Sequence, residues 1–272
     1  MLILSKIRDH PTPVSGVFLG VEEGAHTSMA NWEDVTMPGF EALLHQTQTV
    51  ILPLGSLEEH GPHLPLGTDT FHAIEVARRV AELTPVVVAP PVFYGMCRST
   101  REHPGTVSIS GDTLRALLVD VGREFYRIGC RNLVFISGHA GGTHISAIIE
   151  AGERLLAELP EVRVAVVNLL ELLREVLGEQ PGLVQTKGDS HAGEVETAVM
   201  LAAYPGLVRG SAPEEWPTFP KYMLVRDKRR YWKGGVWGNP APATSEQGEA
   251  ILVAEAVRLS KVIRDLEELA SG

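Results

Sequence analysis

The chain has 272 residues, of which 44% are hydrophobic and 21% charged, a globular composition with enough length to bury a sizeable core. Its formal charge of −10 argues against a nucleic-acid partner, and no apolar run approaches the ~20 residues needed to span a membrane. Two cysteines, Cys97 and Cys130, fit a reducing cytoplasm better than a disulfide scaffold, and the N-terminus lacks the order of a signal peptide.

Residues 1–28 show little periodicity and are expected to be an N-terminal extension or the product of a start codon set too early. A single domain is expected over residues 29–272. Phe40 to Leu44 begins an amphipathic helix. Val50 to Leu54 is a short buried strand that stops at Gly55. The loop after it holds Glu58, Glu59, His60, His63 and Asp69, and Pro62 and Pro65 keep it from being helical. Glu58 and His60 are two apart, so in extended backbone they point the same way. Carboxylate, imidazole and carboxylate form the ligand set of a divalent ion such as Zn, Mn or Fe; the alternative is a polar loop with capping roles.

Phe71 to Leu83 reads as a helix with Ile74, Ala77, Val80 and Ala81 on one face. Val86 to Val88 and Thr106 to Ile109 read as strands, and Leu114 to Ile128 as a helix stopped by Gly129. The strand Leu133 to Ile136 runs into Ser137-Gly138-His139-Ala140-Gly141-Gly142, then a helix from about Ile145 to Leu159. At that strand end His139 is either a further metal ligand or a capping residue. A phosphate cradle is the weaker reading, because neither the G-x-G-x-x-G spacing nor a P-loop Lys is present. Val162 to Asn168 is a strand and Leu169 to Leu177 a helix. This alternation predicts an α/β fold, a three-layer sandwich on a mainly parallel sheet whose strand-end loops share one edge.

Ala192 to Ala203 reads as a helix preceded by His191. Glu194 and Glu196 sit in its first turn, where the helix dipole favours negative charge, or one of them completes a metal shell. Ser190 beside His191 lacks the G-x-S-x-G elbow of a serine hydrolase. Residues 205–243 are loop-rich. Their basic run RDKRR, Arg226 to Arg230, reads as a solvated face or an ion-pair partner rather than a binding patch. Thr244 with Gln247 makes a capping box for a last helix running to about Leu269. Three His/carboxylate clusters at strand-to-helix transitions point together to a dinuclear metal site.

Five blocks carry a family resemblance: LPLGSLEEHGPHLPLGTD (52–69), YG followed by HPGT (94–106), SGHAGG (137–142), HAGEVET (191–197) and GVWGNPAPAT (235–244). In this order they resemble the creatininase (creatinine amidohydrolase) family. The resemblance implies a creatininase-like fold and a metal-dependent amidohydrolase that cleaves a C–N bond of a small amide, cyclic amide or formamide with a hydroxide bound between two divalent ions. It implies one metal site of Glu58, Asp69 and His139, a second of His60 with Asp69 bridging, and His191 as the catalytic acid–base. The creatinine-cleaving members carry a Glu two residues after the His of the glycine loop. Gly141 stands there, and Glu194 is the expected substitute. Glu59, His63 and His103 are expected to support the site, and Trp232 and Trp237 are candidates for the substrate side. The family also implies a homo-oligomer, up to a hexamer. Two other readings remain: a peptide-trimming metallohydrolase of the same family, and a non-catalytic metal- or nucleotide-binding α/β module.

Overall fold

The computed structural model describes residues 31–269. The expected N-terminal extension lies outside the described residues. Four parallel strands form one sheet in the order β2-β1-β3-β4, with β1 Thr49–Leu54, β2 Val87–Val88, β3 Asn132–Ser137 and β4 Arg163–Asn168. Alternation along the strands divides the core in two. From β1 and β3, Val50, Leu52, Leu54, Leu133 and Phe135 face α1 (Met37–Leu44), α3 (Gly111–Arg127) and α4 (Gly142–Glu158). Ile51, Val134 and Ile136 face α2 (Thr68–Leu83), α5 (Leu169–Glu179), α6 (Glu194–Ala203) and α7 (Ser245–Glu268). The result is the expected α/β/α sandwich, and each branched side chain fully buried in it contributes roughly 1.5–3 kcal/mol.

Register puts the site where the strands end. Leu54 pairs with Ser137 and Ser137 with Asn168, so the loops leaving β1 and β3 emerge side by side. Two glycines then let the start of α2 settle onto this edge. A Cβ on Gly55 would lie 2.4 Å from the Thr70 nitrogen, and one on Gly138 would lie 2.0 Å from the Asp69 carbonyl oxygen. Only hydrogen at both positions allows that approach.

The structure departs from the sequence reading at several boundaries. Helix α2 begins at Thr68 rather than Phe71, because the Thr68 hydroxyl and N–H both bond the Pro65 carbonyl and start the turn early. Asp69 therefore lies in a helical first turn. Thr106 to Ile109 is not a strand: Val107 donates to the Leu57 carbonyl and Ile109 to the Gly95 carbonyl, two partners that no single ladder joins. Helix α6 begins at Glu194, since Ala192 has a left-handed φ of 46°. Thr244 caps α7 as expected, accepting from the Gln247 N–H at 3.1 Å, but the Gln247 side chain does not return the bond; it reaches Leu183 and Glu194 instead. Cys97 and Cys130 are both buried and free, and no described helix is long and apolar enough to cross a membrane.

Candidate metal centre

Asp69 sits at the middle of the cluster. Its Oδ1 lies 3.0 Å from His60 Nε2, and its Oδ2 lies 3.1 Å from His139 Nδ1. Glu58 Oε2 approaches the same His139 nitrogen at 2.8 Å. Four of the five expected metal ligands, Glu58, His60, Asp69 and His139, are thus in mutual contact, all buried. They come from the β1 loop, the first turn of α2 and the β3 loop, which the parallel register brings to one edge.

Each imidazole is oriented by a backbone carbonyl behind it. His60 donates Nδ1–H to the Glu58 carbonyl at 3.0 Å, and His139 donates Nε2–H to the Met96 carbonyl at 3.3 Å. The remaining ring nitrogens, Nε2 of His60 and Nδ1 of His139, face the carboxylates. This carbonyl–imidazole–carboxylate order is how proteins present neutral histidine to a cation. Two hydroxyls that the sequence reading passed over hold the carboxylates. Ser56 Oγ lies 2.6 Å from Asp69 Oδ2 and 2.9 Å from Glu58 Oε2, and Thr100 donates to Glu58 Oε1. Neither was legible beforehand, since Ser and Thr in loops carry no motif signal of their own.

Without an ion, the cluster balances itself with protons. Burial pushes Glu58 up, but the His139 charge outweighs it and the carboxyl falls to about 2. Burial likewise opposes the ionised forms of Asp69, His60 and His139. The attraction between carboxylate and imidazolium outweighs it, so Asp69 is held well below the carboxylate range and both imidazoles well above 6.5. An imidazolium stands where a divalent cation would share the same oxygens. The donor set, its burial and its fixed tautomers fit such an ion.

Glu194 does not join this cluster, which corrects the expectation from sequence. Its carboxylate accepts from Gln185 N at 2.9 Å, Thr186 N at 2.6 Å and Gln247 Nε2. Burial raises its pKa, these bonds outweigh that, and it ends lowered. Glu196 lies beside His60 instead. Its Oε2 lies 3.6 Å from His60 Nε2, and ligand atoms of His60, His191 and Glu196 all fall within 4.8 Å of one another. The left-handed Ala192 sets this phase: Glu196 turns back and accepts the Ala192 N–H, and Glu194 faces the loop before the helix. At Gly141 a Cβ would lie 2.5 Å from His139 Nε2, so a side chain there would displace His139 from its present position.

His191 packs on the His60 ring with centroids 4.2 Å apart and donates Nε2–H to the Glu59 carbonyl at 2.7 Å. Burial and the His60 charge lower its pKa, and the Glu59 bond with the nearby Glu58 and Glu196 charges raises it by more. Residues 235–244 brace this loop: Trp237 exchanges backbone bonds with His191, at 2.7 and 3.1 Å. Trp232 meets the His191 ring edge-on at 5.1 Å, and its carbonyl accepts from His103. His63, lowered to about 4 mainly by burial, bonds Thr197. Glu59, His63 and His103 thus lie around the cluster, bonded to His191, Thr197 and Trp232. Cys97 is a further neighbour, its sulfur within 4.8 Å of ligand atoms of Glu58 and His139.

Known proteins are similar to this chain over most of its length. The chain is 34% identical over 224 residues to the mycofactocin precursor peptide peptidase of Mycobacterium tuberculosis, covering 76% of this chain and 80% of that one. It is 30% identical over 253 residues to the creatinine amidohydrolase of Pseudomonas putida, covering 83% and 95%. A crystal structure of creatinine amidohydrolase superposes with a TM-score of 0.78 at 28% identity, over 88% of this chain and 98% of that one. Other similar creatininase structures are described as a Zn–Zn type and as a Mn form, with TM-scores of 0.76 and 0.74. The creatininase family model, described as creatinine amidohydrolase, matches residues 33–263, which takes in the β1 loop, the glycine loop, His191 and residues 235–244 that brace it, and the chain belongs to the creatininase family of hydrolases.

Proposed function

We propose that this protein is a metal-dependent amidohydrolase that cleaves a C–N bond of a small amide, cyclic amide or formamide, using two divalent ions of Zn, Mn or Fe. The observation that carries the reading is the division of Asp69, one oxygen toward His60 and the other toward His139. A carboxylate so shared is suited to bridge two cations. Glu58 and His139 would hold one with Asp69; His60 and Glu196 would hold the other. Ions bound there supply a water acidified to a pKa of roughly 7 and a polarised substrate carbonyl.

The chain's own residues do the rest. Ser56 and Thr100 fix the carboxylates, so that the ligands need not reorganise as charge develops. Hydrolysis places the water oxygen on the carbonyl carbon and a proton on the departing nitrogen. His191, its Nε2–H tied to Glu59, has its other ring nitrogen free to take a proton and return it to the leaving amine. A positioned acid–base of this kind contributes typically ~10²–10⁴-fold.

Identity to the mycofactocin precursor peptide peptidase supports a second reading, in which the C–N bond lies in a peptide. Metal analysis and a substrate panel test both. Protein purified without added metal is expected to hold about two ions per chain. His191→Ala is expected to keep them and lose most turnover. Hydrolysis of peptides but not of small amides or formamides would favour the second reading. No uptake of Zn, Mn or Fe would overturn both and leave a non-catalytic module.

A further inference from the structure

Beside the ligand cluster the chain leaves a cleft of about 560 Å³, lined among others by Met96, Cys97, Arg98, Arg101, Arg226 and Lys228. That volume falls in the range of small-ligand sites. The inner wall is part of the metal centre: the Met96 carbonyl orients His139, and the Cys97 sulfur lies within 4.8 Å of ligand atoms of Glu58 and His139. The same loop supplies Thr100 to Glu58.

The rim is cationic. Arg98, Arg101 and Arg226 are exposed, and among the described residues none has a carboxylate within 4.0 Å. By contrast Arg79, Arg115, Arg123, Arg154 and Arg258 all hold carboxylate partners. Lys228 donates its ammonium to the Arg98 carbonyl and so joins the two sides of the cleft. Glu102, which lines the cleft too, is one negative charge against four positive ones. The basic run 226–230 is therefore divided. Arg230 pairs with Asp227 as a solvated ion pair, whereas Arg226 and Lys228 turn to the cleft. In a chain of net charge −10, such a local excess of positive charge draws anions to one place.

We infer that this cleft binds a carboxylate of the substrate, so that the amide cleaved is one that also carries a free carboxylate. Planar guanidinium groups match a carboxylate in paired hydrogen bonds, a fit that a neutral carboxamide lacks. N-acyl amino acids and the C-terminal residues of peptides both present this group. The inference rests on the amidohydrolase reading and names the charged group that the substrate presents to the cleft.

The test uses matched pairs: N-formyl and N-acetyl amino acids and short peptides, each as the free acid and as the C-terminal amide. Calorimetric binding and turnover by the metal-loaded protein are both recorded. The acids are expected to bind at least about tenfold tighter than the amides, the lower end of what a charged hydrogen bond contributes. Arg98→Ala/Arg101→Ala is expected to bring that ratio toward one through KM rather than kcat, and 0.5 M salt to weaken it. Circular dichroism and metal content of the variant check that fold and centre persist; if they do not, the single charge reversal Arg101→Glu replaces it. Equal binding of acid and amide by the wild type, or a preference that survives both variants, overturns the inference. Acids that bind with preference but are never hydrolysed would uphold the cleft and overturn the amidohydrolase reading. Peptide and acyl amino acid arms tell the two sources apart.

Discussion

Glu194 and Glu196 stand two residues apart in one motif, and the structure gives them opposite duties that a pair of substitutions separates. Glu194→Gln leaves one acceptor oxygen where a carboxylate now serves Gln185 N, Thr186 N and Gln247 Nε2. At least one part-buried N–H loses its partner, at about 1–3 kcal/mol, and a negative charge leaves the first turn of α6, at about 0.3–1 kcal/mol. The sum, about 1.3–4 kcal/mol, lowers Tm by roughly 3–16 °C for a chain of this size. Metal content should not change, because no oxygen of Glu194 faces His60. Glu196→Gln keeps an oxygen for the Ala192 N–H but takes a carboxylate away from the buried His60 imidazolium, so the chelated protein should lose Tm as well. With the anion beside His60 Nε2 gone, metal affinity should fall by well over the ~10–100-fold typical of an outer-shell change. Metal analysis after desalting, with thermal unfolding of the chelated proteins, reads both quantities. If Glu194→Gln lost an ion at unchanged Tm, and Glu196→Gln kept two, the ligand reasoning would be wrong.

Other outcomes follow from the same geometry. Gly138→Ala puts a methyl group 2.0 Å from the Asp69 carbonyl oxygen, so α2 must retreat; we expect a loss of about 1–3 kcal/mol and of both ions together, read by metal analysis. Cys97→Ala should retain both ions and leave the thermal midpoint of the loaded protein little changed. The thiol is pushed up to about 12, chiefly by burial, while Glu58, Asp69 and His139 already supply the donors. In the metal-free protein His60 and His139 have folded pKa values well above 6.5. Their contribution to stability is fully present below pH 6.5 and fades as pH rises through the folded values. That of Glu58 is present above 4.5 and fades as pH falls toward about 2. Chelated protein should therefore lose Tm as pH rises above 6.5 through the folded values. Metal affinity should rise over the same interval, because uptake requires neutral imidazole and releases protons. A metal affinity that stays flat across that range would refute the protonated form of the cluster.

What the sequence made legible, and what it hid, has a physical pattern. Buried strands and amphipathic helices announce themselves by period, and so β1, β3, β4 and the helices between them were readable to within a few residues. Clustered His and carboxylate at strand ends were readable because parallel topology leaves those ends on one edge. Hidden were the features set by a single backbone turn. Thr68 starts α2 through its bonds to Pro65, which lifts Asp69 out of a loop and points it between His60 and His139. Ala192, a residue that gives no warning of a left-handed φ, starts α6 two positions late and exchanges the roles of Glu194 and Glu196. The capping pattern of Thr244 and Gln247 was visible, but not that Gln247 would spend its amide on Glu194 across 53 residues. In each case the side chain's chemistry was on the page and its direction was not. Direction came from where a helix chose to begin. The metal centre should then be sensitive to helix starts as well as to ligands. Thr68→Val, which deletes a hydroxyl bonded to the Pro65 carbonyl rather than to a candidate ligand, should loosen Asp69 and cost metal affinity more than it costs Tm.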